Sequence, residues 1–317
     1  MKITIAIPTC NRIDYFKEAL FSCFNQSVLP YEIVIGDDSN NDETEKFIRL
    51  LKDSEKKGIV IRYLKNEISL GQLANVNMLI KEAKGDKFML LHDDDLLLPN
   101  AISDLSHCFV QSPDIQAAFG MQCLIKDDGS ELSSSKNERL NYRFFRTKEY
   151  EGRGKLTPLE VAIVQQFPND CYLLNTDLAK IIGYGDKKIV GNAGDFDFGL
   201  RLGLAGTQFY FLPIYTAKYR IYTHSVARDG TDSGYQSYNL ILALKDYKPR
   251  IIDYREMILK IKAPLAIVQA LRKGKRKEAI RIYFSKWHFR KILTLGGIKR
   301  FLLIINPFYP LKTKSTR

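Results

Sequence analysis

The chain has 317 residues, of which 45% are apolar and 26% charged, and its formal net charge is +12. The apolar share is ample for a packed core, and no apolar run approaches the ~18–20 residues that span a bilayer, which excludes a transmembrane helix. The five cysteines are scattered and form no CxxC pair, a pattern typical of reduced, mostly buried thiols in a cytoplasmic protein. Met1 leads straight into a strand pattern, so we expect no secretory signal.

The positive charge is concentrated towards the carboxyl terminus. Between Lys260 and Arg317 there are 16 lysines and arginines against one acid, Glu278, whereas the other 259 residues hold 32 basic and 35 acidic side chains. A basic tail on a slightly acidic body indicates an anionic partner, either a membrane surface or nucleic acid.

The first 100 residues alternate between short apolar strands and helices. Strands start about every 28 residues, which is the size of a βα unit with short loops. Strands buried on both faces and separated by helices predict an α/β fold with a doubly wound, mostly parallel sheet. The predicted strands are Ile3–Pro8, Glu32–Gly36, Ile59–Leu64 and Lys87–Leu91; the predicted helices are Phe16–Phe24, a helix from Asp42 with Phe47, Leu50 and Leu51 on one face, and Gln72–Ala83 with Gly85 as C-cap.

Beyond residue 100 the pattern is weaker. The sequence predicts a helix over Pro99–Val110, one or two strands over Ile115–Ile125, and a long loop region over 127–155. Further predictions are a strand at Cys171–Leu174, a helix through Leu178–Ile182, a helix opened by Asp195 or Asp197, a strand-rich run over Tyr210–Tyr222, and increasingly basic helices from about residue 240.

Polar residues follow three of the predicted strands. Because ligands of such sheets bind beyond the carboxyl ends of the strands, we expect these segments to meet at one edge. They are Pro8-Thr9-Cys10-Asn11-Arg12, Asp37-Asp38-Ser39-Asn40 and His92-Asp93-Asp94-Asp95.

The run of three acids after the fourth strand has two explanations. Adjacent carboxylates repel one another, and a hard divalent cation bound together with phosphate oxygens would stabilise them. The alternative is a solvated acidic turn that caps the helix after Pro99.

These segments, in this order, resemble the family 2 inverting glycosyltransferases of the GT-A fold. The resemblance covers roughly residues 1 to 230 and is carried by ITIAIPTCNR, GDDSNNDET, GQLANVNMLIKEAKGDKFMLLHDDD, NAGDFDFGLRL and IYTHS. It implies a nucleotide-diphosphate sugar donor, with UDP preferred, and Mn²⁺ or Mg²⁺ as cofactor. It also implies a saccharide or lipid-linked saccharide acceptor in cell-surface polysaccharide synthesis.

The resemblance also implies roles for individual residues. Asp94 would hold the metal, with help from Asp95 and from His224 of the late His motif. Asp93 would lie near the ribose and Asp38 would accept a hydrogen bond from the base, while Pro8, Thr9, Asn11, Arg12 and Asn77 would contact the nucleotide. Two departures leave the metal ligand among Asp93, Asp94 and Asp95 open: the family often has Asp where this chain has His92, and a non-acidic residue where it has Asp93.

The general base is expected on the helix after residue 193. Inversion by direct displacement needs one base to take the acceptor's proton, and Asp195 matches the second acid of the family's Glu-Asp pair, with Asp197 as runner-up. The first acid of that pair is replaced by Gly194. The alternative role for both aspartates is helix capping.

Each of these residues also has a structural alternative. Asp38 fits an Asx turn, Thr9 and Asn11 fit a polar turn before a helix, and Asn77 fits a local role within its helix. His224 fits an ordinary residue after a strand.

The predicted organisation is a GT-A catalytic domain over residues 1–235 followed by a helical, basic extension over 236–317. Residues 1–100 would be the nucleotide-binding half and 101–235 the acceptor-binding half. The extension suits docking on an anionic membrane, as a peripheral protein on the inner, cytoplasmic face; alternatively, the FLLII run at Phe301–Ile305 packs against the catalytic domain.

Three other functions stay open on the sequence alone. They are a metal-dependent nucleotidyltransferase, a nucleic-acid-binding protein, and a family member that binds nucleotide without turnover. A nucleic-acid partner is not expected, since the sequence has no helix-turn-helix, zinc-finger or RNP signature and the body is net negative.

Overall fold

A computed structural model describes residues 1–221, 233–245 and 248–309. The chain divides into two compact units. The first comprises Met1–Gly185 and Phe198–Thr223, and the second comprises Asp186–Asp197 and His224–Arg317. The functional boundary predicted at residue 235 stays a prediction.

The first unit is built on one eight-stranded sheet with the order β3-β2-β1-β4-β7-β6-β8-β5. Strands β1 to β4 are parallel neighbours, β7 runs antiparallel to both β4 and β6, and β8 is parallel to β6. The predicted α/β fold with a mostly parallel, doubly wound sheet is confirmed. The strands are β1 (Ile3–Thr9), β2 (Glu32–Asp37), β3 (Val60–Lys65), β4 (Lys87–Leu90), β5 (Leu96–Leu97), β6 (Ala117–Ile125), β7 (Tyr172–Asn175) and β8 (Phe209–Arg220).

Helices cover this sheet because its central strands are apolar on both faces. All seven residues of β1 are buried, and the predicted face of the first helix, Phe16 to Phe24, packs into the same core. The helices are α1 (Ile13–Phe24), α2 (Glu43–Leu50), α3 (Asp53–Lys56), α4 (Gln72–Glu82), α5 (Ala101–Gln111), α6 (Ser134–Arg143), α7 (Pro158–Ile163) and α8 (Thr176–Ile182).

The second unit is helical in its described part, as the sequence predicts for the basic extension. Its helices are α9 (Lys187–Val190), α11 (Ser233–Ala243), α12 (Pro249–Arg272), α13 (Arg276–Tyr283) and α14 (Leu295–Ile305). Helix α10 (Gly194–Leu204) lies between α9 and α11 in sequence. It begins in the 186–197 segment of the second unit and ends in the 198–223 segment of the first unit. In the described residues no helix is long and apolar enough to cross a membrane.

Three local predictions are wrong. Leu50 does not share a buried face with Phe47 and Leu51 but is 79% exposed, because α2 ends there and Leu51 is already extended. Gly85 does not cap α4, which ends three residues earlier. Gly85 instead lets the chain approach β1, where a Cβ would lie 2.7 Å from the Thr4 nitrogen.

The predicted loop region over 127–155 contains helix α6 and a 3-10 turn at Lys148–Tyr150. Two asparagines of α6 bind the backbone of β6. Asn141 accepts from Gln122 N (3.2 Å) and donates to Gln122 O (2.9 Å), and Asn137 accepts from Leu124 N (2.8 Å). This segment is therefore part of the fold, and its polar composition reflects hydrogen bonding to a strand.

Candidate functional site

The three polar segments meet at the carboxyl edge of the parallel strands, as predicted from strand order. Thr9 pairs with Asp37 across β1 and β2, and Ala6 pairs with Leu90 across β1 and β4. The loops that follow are joined by side chains: Thr9 Oγ1 donates to Asp93 Oδ2 at 2.8 Å, and Asn11 N donates to Ser39 Oγ at 2.7 Å.

Asp93 lies at the centre of this edge. It is buried, accepts from Thr9, and its other oxygen lies 3.5 Å from the Arg12 guanidinium. Burial and the neighbouring Asp94 raise the pKa of Asp93 to about 6, although Arg12 and Thr9 act in the opposite direction. Arg12 also pairs with Asp94 Oδ2 at 2.8 Å, so one guanidinium group lies beside both carboxylates.

Asp95 is the most buried acid of the run. Its Oδ1 accepts from Arg220 N at 2.7 Å, whereas Oδ2 is buried and faces the Asp170 carboxyl group, with no N–H group of the described residues donating to it. Burial, Asp170 and Asp94 raise the pKa of Asp95 well above its ordinary value. A buried oxygen with no donor is a position where a cation would stabilise the charged form.

His92, Asp94 and Asp95 are arranged as a cation site requires. One ligand atom of each lies within 4.8 Å of the others. Carboxylate oxygens suit Mg²⁺ and Mn²⁺, and imidazole is an acceptable ligand for Mn²⁺. The residues present therefore fit a divalent metal. His92 belongs to this set, although the sequence analysis does not predict it as a ligand. The predicted ligand His224 lies outside the described residues.

Asp38 organises the loop between β3 and α4. Its Oδ1 accepts from Asn66 Nδ2 (2.7 Å) and Leu70 N (3.1 Å), and its Oδ2 accepts from Ser69 Oγ (3.1 Å) and Gly71 N (2.7 Å). The carboxylate thus fixes residues 66–71 beside the other two loops. A nucleotide base bound here would take the place of one of these donors.

Asn11 connects the loops after β1 and β2. It adopts a positive φ of 55°, and its Oδ1 accepts from Asn40 N at 3.1 Å. Asparagine tolerates this backbone conformation better than most residues. Pro8 lies in β1 opposite Gly36, one residue before the loop.

Asn77 and Asn75 lie on α4 but contact different parts of the first unit. Asn77 uses both amide atoms on the backbone of Tyr184, at 3.0 and 2.7 Å. Asn75 donates to Gly36 O at 2.8 Å and accepts from Asn66, which also binds Asp38. Asn75 therefore supports the Asp38 loop, and the role of Asn77 at the nucleotide stays a prediction.

The sequence did not indicate Arg220 as a site residue. Its buried guanidinium donates to Asp94 O at 2.8 Å, to Lys126 O and Asp127 O, and to Glu18 Oε2 at 2.6 Å. Together with the Arg220 N bond to Asp95, these contacts fix the acidic loop against the end of β8. The sequence feature that could have indicated this residue is its position, since it is an arginine near the end of a predicted strand.

Asp170 and Arg146 form a second group that the sequence did not reveal. Asp170 is fully buried, accepts from His92 N at 3.1 Å and from Gln122 Nε2 at 3.3 Å. Arg146 donates to Gln122 Oε1 at 2.8 Å, and burial lowers its pKa to about 9. Because β7 runs antiparallel to β4, Asp170, two residues before β7, lies near the carboxyl end of β4. Only that strand direction could have revealed Asp170.

Asp195 and Asp197 both lie in the first turn of α10. Asp197 is buried, whereas Asp195 is half-buried. They belong to the second compact unit, so the assignment of Asp195 as base stays a prediction. Its partial exposure favours it over Asp197 for contact with a substrate.

Comparison with known proteins agrees with this geometry. Residues 4–160 match the family model for glycosyl transferase family 2. An uncharacterized glycosyltransferase of Methanocaldococcus jannaschii is 26% identical over 221 residues, which are 69% of this chain and 70% of that protein. A GalNAc(5)-diNAcBac-PP-undecaprenol beta-1,3-glucosyltransferase of Campylobacter jejuni is 31% identical over 131 residues, 41% of this chain and 40% of that protein.

Solved structures show the same fold. S. aureus TarS 1–349 in complex with UDP-GlcNAc has a TM-score of 0.64 at 15% identity, covering 96% of this chain and 90% of that one. The mannosyltransferase PcManGT of Pyrobaculum calidifontis, in complex with GDP-Man and Mn²⁺, has a TM-score of 0.60 at 13% identity, covering 95% and 86%. The family match and the curated relatives show that the chain belongs to the family 2 glycosyltransferases, and the solved structures show that its fold is GT-A.

Proposed function

We propose that this glycosyltransferase moves a sugar from a nucleotide-diphosphate sugar, preferably a UDP-sugar, to a saccharide or lipid-linked saccharide acceptor, with inversion. The observation that carries the proposal is the convergence of Thr9, Arg12, Asp38 and the Asp93–Asp95 run at one sheet edge. This convergence combines groups suited to a base, a ribose and a diphosphate within one site.

A divalent cation, Mn²⁺ or Mg²⁺, would be held by Asp94 and Asp95, with His92 as a further ligand; the role of His224 as a ligand stays a prediction. When bound, it supplies Lewis-acid neutralisation of the diphosphate leaving group. Asp93 would receive the ribose hydroxyls, since a carboxylate accepts but does not donate when ionised. Arg12 lies beside Asp93 and Asp94 and would contribute positive charge towards the phosphates.

Asp38 would bind the N3–H of uracil. In that role one carboxylate oxygen of Asp38 would lose a hydrogen bond from the 66–71 loop and gain one from the base. Nucleotide binding would therefore be coupled to the position of this loop. Pro8, Thr9, Asn11 and Asn77 would contact the nucleotide from the neighbouring strand end and from α4.

Asp195 would take the proton of the acceptor hydroxyl as the sugar is displaced. The C. jejuni relative is named for an undecaprenol-linked substrate, which supports a lipid-linked acceptor for this chain. Such an acceptor would place the enzyme on the cytoplasmic face of a membrane, with residues 1–235 as the catalytic domain and 236–317 as the basic extension.

The test is nucleotide release from a panel of UDP-sugars in the presence of Mn²⁺ and a bacterial lipid extract. Asp195→Asn is expected to lower turnover by about 10²- to 10⁴-fold, the usual contribution of a general base, while leaving UDP affinity unchanged. Asp197→Asn serves as the matched control in the same helical turn. Near-normal turnover in Asp195→Asn would remove it as the base.

A further inference from the structure

Helix α14 of the second unit carries an apolar face that the described residues of this unit leave exposed. One side of the helix, with Gly297 and Ile304, is buried. Leu295, Ile298, Leu302 and Ile305 are 89%, 48%, 56% and 56% exposed. We call these four residues the α14 outer face. At 100° per residue they fall within an arc of about 80° on the side away from Ile304.

This orientation is fixed by specific contacts. Thr294 caps the amino end by accepting from Gly297 N at 3.1 Å, and Tyr283 Oη donates to Gly297 O at 3.2 Å. Arg276 donates to Ile304 O and, at 2.8 Å, to Asn306 O at the carboxyl end. The exposed leucines and isoleucines therefore belong to a helix anchored at both ends, and they are not the result of a frayed terminus.

Close packing at Gly297 sets which side faces inward. A Cβ there would overlap the carbonyl oxygens of Lys291 and Ile292, so only glycine permits this approach. Within the FLLII run Ile304 is buried, Leu303 is half-buried, and Phe301, Leu302 and Ile305 are exposed; the predicted alternative, in which this run packs against the catalytic domain, stays a prediction.

The surroundings of the outer face are basic. Residues 276–309 contain eight lysines and arginines against one acid. Arg290 and Lys299 are exposed, and two further apolar residues, Leu293 and Phe308, are exposed just beyond the ends of α14. Apolar side chains flanked by cations match the interface of an anionic bilayer. A second copy of the chain would present the same positive charge, and this repulsion opposes self-association through the same face.

We propose that the α14 outer face lies flat in the interface of an anionic membrane, with its four side chains below the headgroups and Lys299 and Arg290 among the lipid phosphates. An 11-residue helix is about 16 Å long, too short to span the ~30 Å hydrocarbon core. The inference rests on the proposed function and deepens it, because it names the surface that would bring the enzyme to a lipid-linked acceptor.

The experiment is flotation of the full chain with vesicles of phosphatidylglycerol and phosphatidylcholine, compared with phosphatidylcholine alone, at low salt. The double variant Leu295→Ser/Leu302→Ser is expected to lower partition onto anionic vesicles by about tenfold or more, because it removes two large apolar groups from the inserted face. Ile189→Ser is the matched control, since Ile189 is 75% exposed on α9 of the same unit.

UDP binding with Mn²⁺ and light scattering are measured on the same proteins. Loss of vesicle binding in the double variant alone, with UDP binding kept, supports the inference. Any of three results would overturn it. These are no binding of the wild-type protein to anionic vesicles, undiminished vesicle binding by the double variant, and a wild-type oligomer that the double substitution dissociates. A wild type that binds vesicles but no nucleotide would instead count against the proposed function and leave the membrane result standing.

Discussion

Asp94 and Asp95 play different parts in the same loop. Asp95 is buried and fixed by Arg220, whereas Asp94 faces Arg12 and is more accessible. Asp94 can therefore exchange Arg12 for a metal without breaking the core, while Asp95 contributes an oxygen whose position is already set. This difference explains how adjacent acids tolerate one another at a strand end.

Replacing Asp94 with alanine tests this division. We expect Mn²⁺-dependent UDP binding to weaken by at least ~10-fold, the loss that even a supporting residue of a metal site can cause, because one ligand is removed. Calorimetric titration measures the affinity. Asp53→Ala, at an exposed position on α3, is the control and should bind UDP like wild type; equal affinity in Asp94→Ala would move the metal elsewhere.

Arg220 is expected to hold the acidic loop in place. Arg220→Lys keeps the charge but replaces a planar fork of donors with a single nitrogen, so several of the carbonyls at Asp94, Lys126 and Asp127 lose their donor. We predict a loss of about 1–3 kcal/mol in the free energy of unfolding and weaker Mn²⁺-dependent UDP binding. Thermal melts and titrations measure both, with Arg281→Lys as control, since the Arg281 side chain is exposed on α13. A variant unchanged in both would show that Arg220 does not position the loop.

At the scale of elements, α6 makes the hydrogen bonds to part of β6 that a neighbouring strand would otherwise make. Strand β7 pairs with β6 only over Ala117 to Phe119, so the backbone at Gln122 and Leu124 needs other partners. Residues 137 and 141 are one helical repeat apart, about 6 Å, and alternate strand residues are about 6.6 Å apart. The two asparagines therefore match two successive residues on one side of β6.

Asn141→Ala should destabilise this junction. It leaves Gln122 N and O without their partners, and an unsatisfied buried backbone group costs about 1–3 kcal/mol. Hydrogen exchange is expected to rise over 120–126 while β1 stays protected. Asn40→Ala, at an exposed loop position, is the control, and unchanged exchange in Asn141→Ala would refute the role of α6.

Asp37 at the end of β2 provides a pH test of the same sheet. Burial would raise its pKa, but hydrogen bonds from Ser39, Tyr63 and Lys65 outweigh burial and lower it. A lowered native pKa adds stability above the unfolded value of about 3.9, and this stability is lost as the pH falls through the native pKa. The melting temperature of Asp37→Asn should therefore lie below that of wild type at pH 7, with the gap closing below about pH 4. A constant gap would contradict this.

Strand burial and order made the parallel half of the sheet predictable. Runs such as Ile3–Thr9 strongly favour a buried strand. Parallel strands bring their carboxyl ends together, which is why we expect Thr9, Asp38 and Asp93 at one edge. Asp170, Arg146 and Arg220 could not be found in this way. Their positions depend on the direction of β7 and on contacts between residues 20 or more apart in sequence, for which no local pattern exists.

At the scale of the whole molecule, the sequence anticipated two kinds of surface. The acidic strand ends lie in the first unit, and the excess of lysine and arginine lies in the second. The apolar outer face of α14 was harder to predict, because an apolar helical stripe ordinarily faces a core. The burial of Ile304 and the contacts of Gly297 and Arg276 show which side of that helix is turned inward.

We propose that the carboxyl edge of the sheet is a metal-dependent site for a nucleoside diphosphate. Calorimetric titration of UDP, GDP and dTDP, each with and without Mn²⁺, tests it most directly. We predict that UDP binds when Mn²⁺ is present and only weakly when it is absent, and that UDP binds more tightly than GDP or dTDP. Absence of binding by all three nucleotides in the presence of Mn²⁺ would contradict the account.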